Sequence, residues 1–538
     1  MGTPTLGPMT QAPLAPEHFH VYDTTLRDGA QQEGLRLSVN DKLRIARHLD
    51  DLGVTFIEGG WPGANPNDTA FFEAAKTQLQ LNRSTLVAFG ATRRVGGRAA
   101  DDVLVAALRD SAAPFVCLVA KSHDKHVERA LRTTLDENLA MVRDTVSHLT
   151  AEGQRVFLDC EHFFDGYRAN PAYALEVVRA AAEAGAEVVV LCDTNGGMVP
   201  SWMGDIVSAA GVIGVDLGIH CHNDTGCAVA NSLAAVEAGA MHVQGTINGY
   251  GERTGNADLT TVISNLQLKY GWPLLPEGLS HLTRISHAIA EITNQPPQAR
   301  QPYVGHSSFA HKAGLHASAI RVDANLYQHI DPELVGNDMR MLISDMSGRA
   351  NIQIKGEQLG FDLSDRELAA RVTDTIKERE ARGYSYEAAD ASFELLLRDQ
   401  LGVLEHPFTV RGWRVFTEHT TDETVSDSEA TVKVVAKGEL QSYLGEGNGP
   451  LNALDEALRR ALTPAYPGVR SYELTDYRVR ILDADQGTDA IVRTLIDTTD
   501  GNRTWTTVGV GTNVVEASWE ALQDAYLYGL VKGYPTDE

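Results

Sequence analysis

Long apolar runs are missing from this 538-residue chain. None approaches the ~20 residues that a helix needs to cross the hydrocarbon of a bilayer, so a helical membrane span is excluded. Positive charge is scarce as well: 46 Lys and Arg face 72 Asp and Glu, for a formal net charge of -26. Such a surplus of carboxylates leaves no broad basic face for nucleic acid or an anionic membrane. Any anionic ligand must meet a local basic pocket. Cysteine is sparse, and Cys117, Cys160, Cys192, Cys221 and Cys227 show no C-x-x-C spacing. Four of them lie in or beside apolar strand-like runs, so buried, reduced thiols are expected and none is assigned to catalysis. The opening residues 1–16, MGTPTLGPMTQAPLAP, lack both the apolar stretch and the basic start of a secretory signal. They are expected to form a disordered lead-in to a cytoplasmic protein. Walker and dinucleotide glycine spacings are also absent.

What the chain does have is alternation. Its length exceeds what one hydrophobic core usually supports, so two or three domains are expected. Over residues 17–285, short β-rich runs alternate with amphipathic helical stretches, the pattern of βα units and a parallel sheet. Eight runs can be counted: HFHVYD from His18, VTFIEG from Val54, STLVAFG from Ser84, PFVCLVA from Pro114, RVFLDC from Arg155, EVVVLCD from Glu187, VDLGIHC from Val215 and MHVQGTI from Met241. Eight strands with helices between them fit an α/β fold of the closed (β/α)8 TIM-barrel type. The stretch from Asp41 to Gly53 has apolar residues at helical spacing and a glycine placed as C-cap. Residues 286–420 read as a helical linker region that opens on NQPPQARQPYVG. Residues 421–538 read as a C-terminal α+β domain, in which strands and a Gly-rich turn lead into a helix twice over.

In such a barrel, active-site residues belong at or just beyond the strand C-termini. Polar residues gather there: Arg27 and Asp28 after the first run, Glu161 after the fifth, Asp193 and Thr194 at the sixth, His220 and His222 at the seventh, and Asn256 in the Gly-rich loop after the eighth. Two histidines at i and i+2 on a strand share a face, so with one outside carboxylate they make a three-ligand metal site with open positions. A metal so held polarises the ketone of an α-keto acid as a Lewis acid, and Arg27 beside it suits an oxygen that develops negative charge. Alone, His-x-His on a strand is a weak signal that a structural pair also gives, and a carboxylate such as Glu161 after a strand also marks a solvated loop. The loop GYGERTGNAD, with Gly251, brings backbone close to a substrate or simply turns the chain. The linker segment FAHKAGLHASAIRVDANLY carries His311, His316, Asn325 and Tyr327, each of which taken alone is structural.

Together, DTTLRDG, LCDTNG, HCHND, TINGYGERTGNADL and AHKAGLH resemble the metal-dependent acyl-CoA Claisen synthases, the isopropylmalate, homocitrate and citramalate synthases. The resemblance covers nearly the whole chain, including a C-terminal part similar to their amino-acid-sensing dimer domain. IEGGWPGANPND, KSHDKHVERALRTTLDENL and EHFFDGYRANPAYA most resemble the citramalate synthase branch. The resemblance implies Mg²⁺, Mn²⁺ or Zn²⁺ held by Asp28, His220 and His222 with Asn256 close by. It implies a keto acid held by Arg27 and Thr194, with Gly251, Asn256 and Asn325 also at the substrate, and acid–base roles for Glu161, His316 and Tyr327. In similar enzymes the His and Tyr come from a partner subunit, so a homodimer is expected.

The implied reaction joins acetyl-CoA to pyruvate and hydrolyses the thioester, with isoleucine, or leucine, as feedback effector of the C-terminal domain. Alternatives left open are another keto acid (2-isopropylmalate or homocitrate synthase), a lyase of the same barrel type, and a non-catalytic amino-acid sensor. Trp61, Phe163 and Phe164 follow strand runs, and either narrow the keto-acid pocket or pack between helices.

Overall fold

The computed structural model describes residues 18–275, 277–343, 349–419, 426–482 and 490–534. The expected lead-in, 1–16, and the expected domain boundary at 420/421 lie outside the described residues. The chain divides into two compact units: the chain up to Phe309 with Ile330–Asp338, and Ala310–His329 with Met339 onward.

The first unit is a closed, eight-stranded parallel barrel. Its strands are β1 (His20–Asp23), β2 (Phe56–Gly60), β3 (Thr85–Ala91), β4 (Phe115–Lys121), β5 (Arg155–Glu161), β6 (Val188–Asp193), β7 (Asp216–Cys221) and β8 (His242–Gly245), each within one of the eight predicted runs or a residue of its end. Closure runs through β1 and β8, which pair from His20↔His242 to Asp23↔Gly245. Every residue of β2, β6 and β8 is buried, as expected where helices cover the outside and side chains fill the inside. The helix Val39–Leu52 shows how the cover is built. Ser38 and Asp41 cap its start reciprocally, Leu43, Ile45, Ala46, Leu49 and Leu52 are buried, and Gly53 ends it at φ 92 with its N–H on the Leu49 carbonyl.

Period-two geometry layers the barrel interior. Phe56, Phe115 and Phe157 plug it, with ring centroids 4.8, 5.1 and 5.0 Å apart, and His242 is buried against them. Two residues further along their strands, the same face carries Glu58, Cys117, Asp159 and Gln244, all buried. An apolar floor therefore supports a polar layer directly below the strand C-termini. Cys117, Cys160, Cys192 and Cys221 are buried, Cys227 is partly exposed, and all five are free thiols. Among the described residues, no helix is long and apolar enough to cross a membrane.

The second unit begins with a short parallel pair, β9 (Ala310–His311) and β10 (Arg340–Met341), and the helices Gly314–Ile320, Arg349–Gln358, Arg366–Ala381 and Asp390–Gln400. Two three-stranded antiparallel sheets follow. The first, β11 (Phe408–His419), β12 (Ser426–Ala436) and β13 (Glu439–Gly447), leads into the helix Pro450–Leu462; the second, β14 (Glu473–Ile481), β15 (Val492–Thr499) and β16 (Thr504–Gly511), leads into Val514–Val531. The same contact recurs in both. A Cβ on Gly445 would lie 2.4 Å from the Ala453 carbonyl oxygen, and one on Gly509 2.0 Å from that of Ala517. Glycine is needed at each place because the helix crosses its sheet at backbone distance, and this matches the predicted strand–glycine–helix repeat.

Asp524, on the last helix, is partly buried, accepts from Ser392 Oγ at 3.0 Å, and has its pKa pushed up to about 7 by burial and by nearby Glu520. An unfolded aspartate ionises near 3.9, so the folded state binds the extra proton between about pH 4 and 7, and the stabilisation tied to that proton is lost as pH rises through about 7. Asp524→Asn removes that penalty while keeping an acceptor for Ser392. Its gain in Tm over the parent, read by differential scanning calorimetry, is expected to be larger at pH 8 than at pH 5.

Candidate metal centre and active site

Asp28, five residues past the last residue of β1, lies buried at the barrel mouth, where its Oδ2 is 3.2 Å from Nε2 of His220 and 3.6 Å from Nε2 of His222. The two imidazole nitrogens are 3.4 Å apart. Burial opposes ionisation of Asp28, but the Arg27 charge and the His220 hydrogen bond outweigh it and hold the carboxyl well below the usual range. Burial likewise disfavours charge on His220, yet Asp28 raises its pKa overall, whereas burial and the neighbouring His220 lower that of His222 to about 4. These three donor groups lie within 4.8 Å of one another, and two nitrogens with one carboxylate oxygen suit a divalent ion. Beside them, the buried Oδ1 of Asn256 has no hydrogen-bond partner among the described residues, while its Nδ2 donates to the Tyr250 carbonyl at 3.0 Å. A Cβ on Gly251, at φ 153, would fall 2.2 Å from that amide nitrogen. The glycine thus makes room for Asn256, whose orphaned oxygen is a further reason why the residues fit a cation and its ligands.

A cavity of about 320 Å³ opens on these groups, and Trp61, Phe89 and Val119 supply its apolar wall. Arg27 is fixed on three sides: Nε donates to Glu58 at 2.6 Å, Nη1 lies 3.3 Å from Asp28, and the guanidinium sits 3.9 Å over the Phe89 ring. Thr194 lines the cavity, and its hydroxyl accepts the His162 N–H at 2.8 Å. Glu161 closes the last position of β5 and is ion-paired with Lys121, its register partner on β4. Gly251 lines a neighbouring polar cavity of about 240 Å³, whereas Glu252 and Arg253 of the same loop reach the metal-facing one.

The sequence-predicted residues therefore fall into two groups. Arg27, Asp28, Glu161, Thr194, His220 and His222 line one cavity, with Asn256 packed beside His222 through a backbone bridge. His316, Asn325 and Tyr327 belong to the second unit, where the His316 and Tyr327 rings stack at 4.1 Å and Asn325 donates to Asp323. Trp61 borders the cavity, but Phe163 and Phe164 are fully buried in the hydrophobic layer with Tyr167, so of the two readings offered for these phenylalanines the packing one holds. Sequence reasoning missed Lys121, although it ends β4 and the strand-end rule pointed to it. Glu58, Asp159 and Gln244 were also missed; their signal was a polar residue at an inward position of an apolar run.

Comparison with known proteins finds matches along nearly the whole chain. The HMGL-like family model matches residues 18–288, the homocitrate synthase post-HMGL domain-like model residues 303–383, and the LeuA allosteric (dimerisation) domain model residues 387–530. The chain is 62% identical to the (R)-citramalate synthase of Streptomyces coelicolor, over 97% of this chain and 99% of that protein. It is 48% identical to the (R)-citramalate synthase of Aquifex aeolicus, over 96% and 98%. A 2-isopropylmalate synthase of Methanocaldococcus jannaschii is 30% identical, over 95% and 94%.

Removing one of the three donors is expected to cost more than losing an outer partner of a ligand, which typically weakens metal binding ~10–100-fold. Asp28→Ala and His222→Ala should each lower Mn²⁺ affinity by more than about a hundredfold in calorimetric titration, with the circular dichroism spectrum unchanged. Parental affinity in both variants would refute the centre.

Proposed function

The chain belongs to the family of the (R)-citramalate and 2-isopropylmalate synthases, and on that footing we propose that it condenses acetyl-CoA with pyruvate to give (R)-citramalate and CoA. The observation that carries this reading is the Asp28, His220 and His222 cluster on the cavity that also holds Arg27, Glu161 and Thr194. Asp28, His220 and His222 would hold Mg²⁺, Mn²⁺ or Zn²⁺, which when bound supplies Lewis acidity toward a keto acid. Arg27, fixed by Glu58 and Phe89, turns its remaining N–H donors to the keto acid and stabilises the alkoxide that forms there. Thr194 donates its hydroxyl to the same substrate, and the backbone at Gly251 with Asn256 and Asn325 completes its surroundings.

Glu161, together with His316 and Tyr327, handles the proton transfers. A base removes a methyl proton from acetyl-CoA, the resulting enolate adds to the ketone carbon of pyruvate, and water cleaves the citramalyl thioester to release CoA. A second cavity of about 500 Å³ shares Arg27, Gln31, Trp61 and Phe89 with the metal-facing one and offers acetyl-CoA an approach. The aromatic wall of Trp61 and Phe89, whose rings meet edge to face at 5.6 Å, favours the pyruvate methyl over a branched substituent.

In this reading His316 and Tyr327 act in a partner subunit of a cytoplasmic homodimer. Leu315, Val322 and Leu326 beside them are exposed and supply apolar surface for that docking. Isoleucine, with leucine as the alternative, is the proposed effector. A cavity of about 430 Å³ at the starts of the two repeated helices, lined by Pro450, Leu451, Tyr477, Val514 and Val515, has the size and apolar wall for such a side chain.

CoA-thiol release from acetyl-CoA with Mn²⁺, measured with pyruvate, 2-oxoisovalerate and 2-oxoglutarate and with each product identified by mass, tests the assignment. Turnover is expected with pyruvate and at most a few per cent of that rate with the larger acids. Preference for a larger acid would keep the chemistry and overturn the substrate; silence with all three would overturn both.

A further inference from the structure

Inside the barrel, the Gln244 side chain is buried between two groups of different character. Its Oε1 lies 2.8 Å from Nδ1 of His220, and its Nε2 donates to Oδ1 of Asp159 at 3.0 Å. Register places the first contact, because His220 of β7 and Gln244 of β8 are direct Cα partners. Asp159 Oδ1 also accepts from Cys117 Sγ at 3.3 Å. A row of side chains thus runs Asp28, His220, Gln244, Asp159, with Asp28, His220 and Asp159 lining the same cavity and Gln244 buried behind it.

An amide has an acceptor end and a donor end, so what faces one end decides what the other can meet. An ionised carboxylate only accepts. With Asp159 on one side, Gln244 must turn its NH2 that way, its oxygen then faces His220, and Nδ1 of His220 must carry a proton. Nε2, which points at Asp28 and His222, is then the nitrogen that gives up its proton to a cation. The opposite amide orientation would set NH2 against Nδ1 and keep the proton on Nε2, where it blocks coordination. His222 has no such control, since its Nδ1 finds no partner among the described residues.

We infer that Gln244, oriented by Asp159, is a positioning residue that selects the metal-binding tautomer of His220. The inference rests on the Asp28, His220 and His222 centre proposed above. It gives the buried polar layer a use: the inward Asp159 fixes an amide, and the amide fixes a ligand.

The test is a Mn²⁺ titration of the full chain after EDTA treatment, with free ion read by electron paramagnetic resonance. Gln244→Met, close in volume but without an amide, is expected to weaken binding ~10–100-fold, the range typical of outer partners of ligating histidines, with the melting temperature of the metal-free protein close to that of the parent. Gln244→Glu keeps an acceptor against Nδ1 and shares a proton with Asp159, so it should stay nearer the parent than Gln244→Met does. Asp159→Asn frees the amide to turn either way and should weaken binding to an intermediate degree. Parental affinity in Gln244→Met would overturn the relay and leave the metal centre standing. Failure of the parent itself to bind Mn²⁺ would overturn both. If Gln244→Met does not fold, Asp159→Asn decides, and unchanged affinity there overturns the relay.

Discussion

Buried negative charge without a matching cation is the constraint on which the barrel mouth depends. Asp28, Glu58 and Asp159 are all buried there, and Arg27 is shared between Glu58 at 2.6 Å and Asp28 at 3.3 Å. Isolated buried carboxylates are costly, and proteins relieve them by pairing, protonation or metal binding. Pairing, hydrogen bonding and metal binding each have a place here. Glu58 is paired; Asp159, whose pKa burial and the Glu58 charge raise to about 6, accepts from Gln244 Nε2 and Cys117 Sγ; Asp28 faces two imidazole nitrogens in a geometry that admits a divalent ion. The candidate metal centre fits a cluster of buried acids on an apolar floor.

The apolar floor explains why so much of the barrel was legible in the sequence. Parallel strands covered on both faces read as short, continuous apolar runs, and the eight runs are the eight strands. Residues at their C-terminal ends were then the candidates for the site, and Arg27, Asp28, Glu161, Thr194, His220 and His222 do share one cavity. What could not be read was which inward polar residue meets which. Gln244 in MHVQGTI and Asp159 in RVFLDC are single polar letters in apolar strings, and their partnership depends on barrel closure, which brings β5, β7 and β8 around a common interior. For Phe163 and Phe164 the sequence left two readings open, and the structure decides for packing. They follow β5 closely, but the helix Phe163–Ala169 begins at once and turns both rings into the hydrophobic layer.

The second unit shows a different limit. Its repeat was visible because a glycine ahead of each helix is a physical necessity: Gly445 and Gly509 let helix and sheet meet at backbone distance. A role for Ala310–His329 was suggested only by family resemblance, since nothing in the spacing of His316, Asn325 and Tyr327 distinguishes a set of catalytic side chains from an exposed polar segment. Their stacking at 4.1 Å is a fact of the fold and joins His316 to Tyr327.

The most direct measurement is anomalous diffraction from crystals of the full chain grown with Mn²⁺. The strongest anomalous peak in the barrel is predicted between Asp28, His220 and His222. A peak instead at the other buried cluster of acid and thiol groups, Glu58, Cys117 and Asp159, or no peak in the barrel at saturating Mn²⁺, would contradict the account.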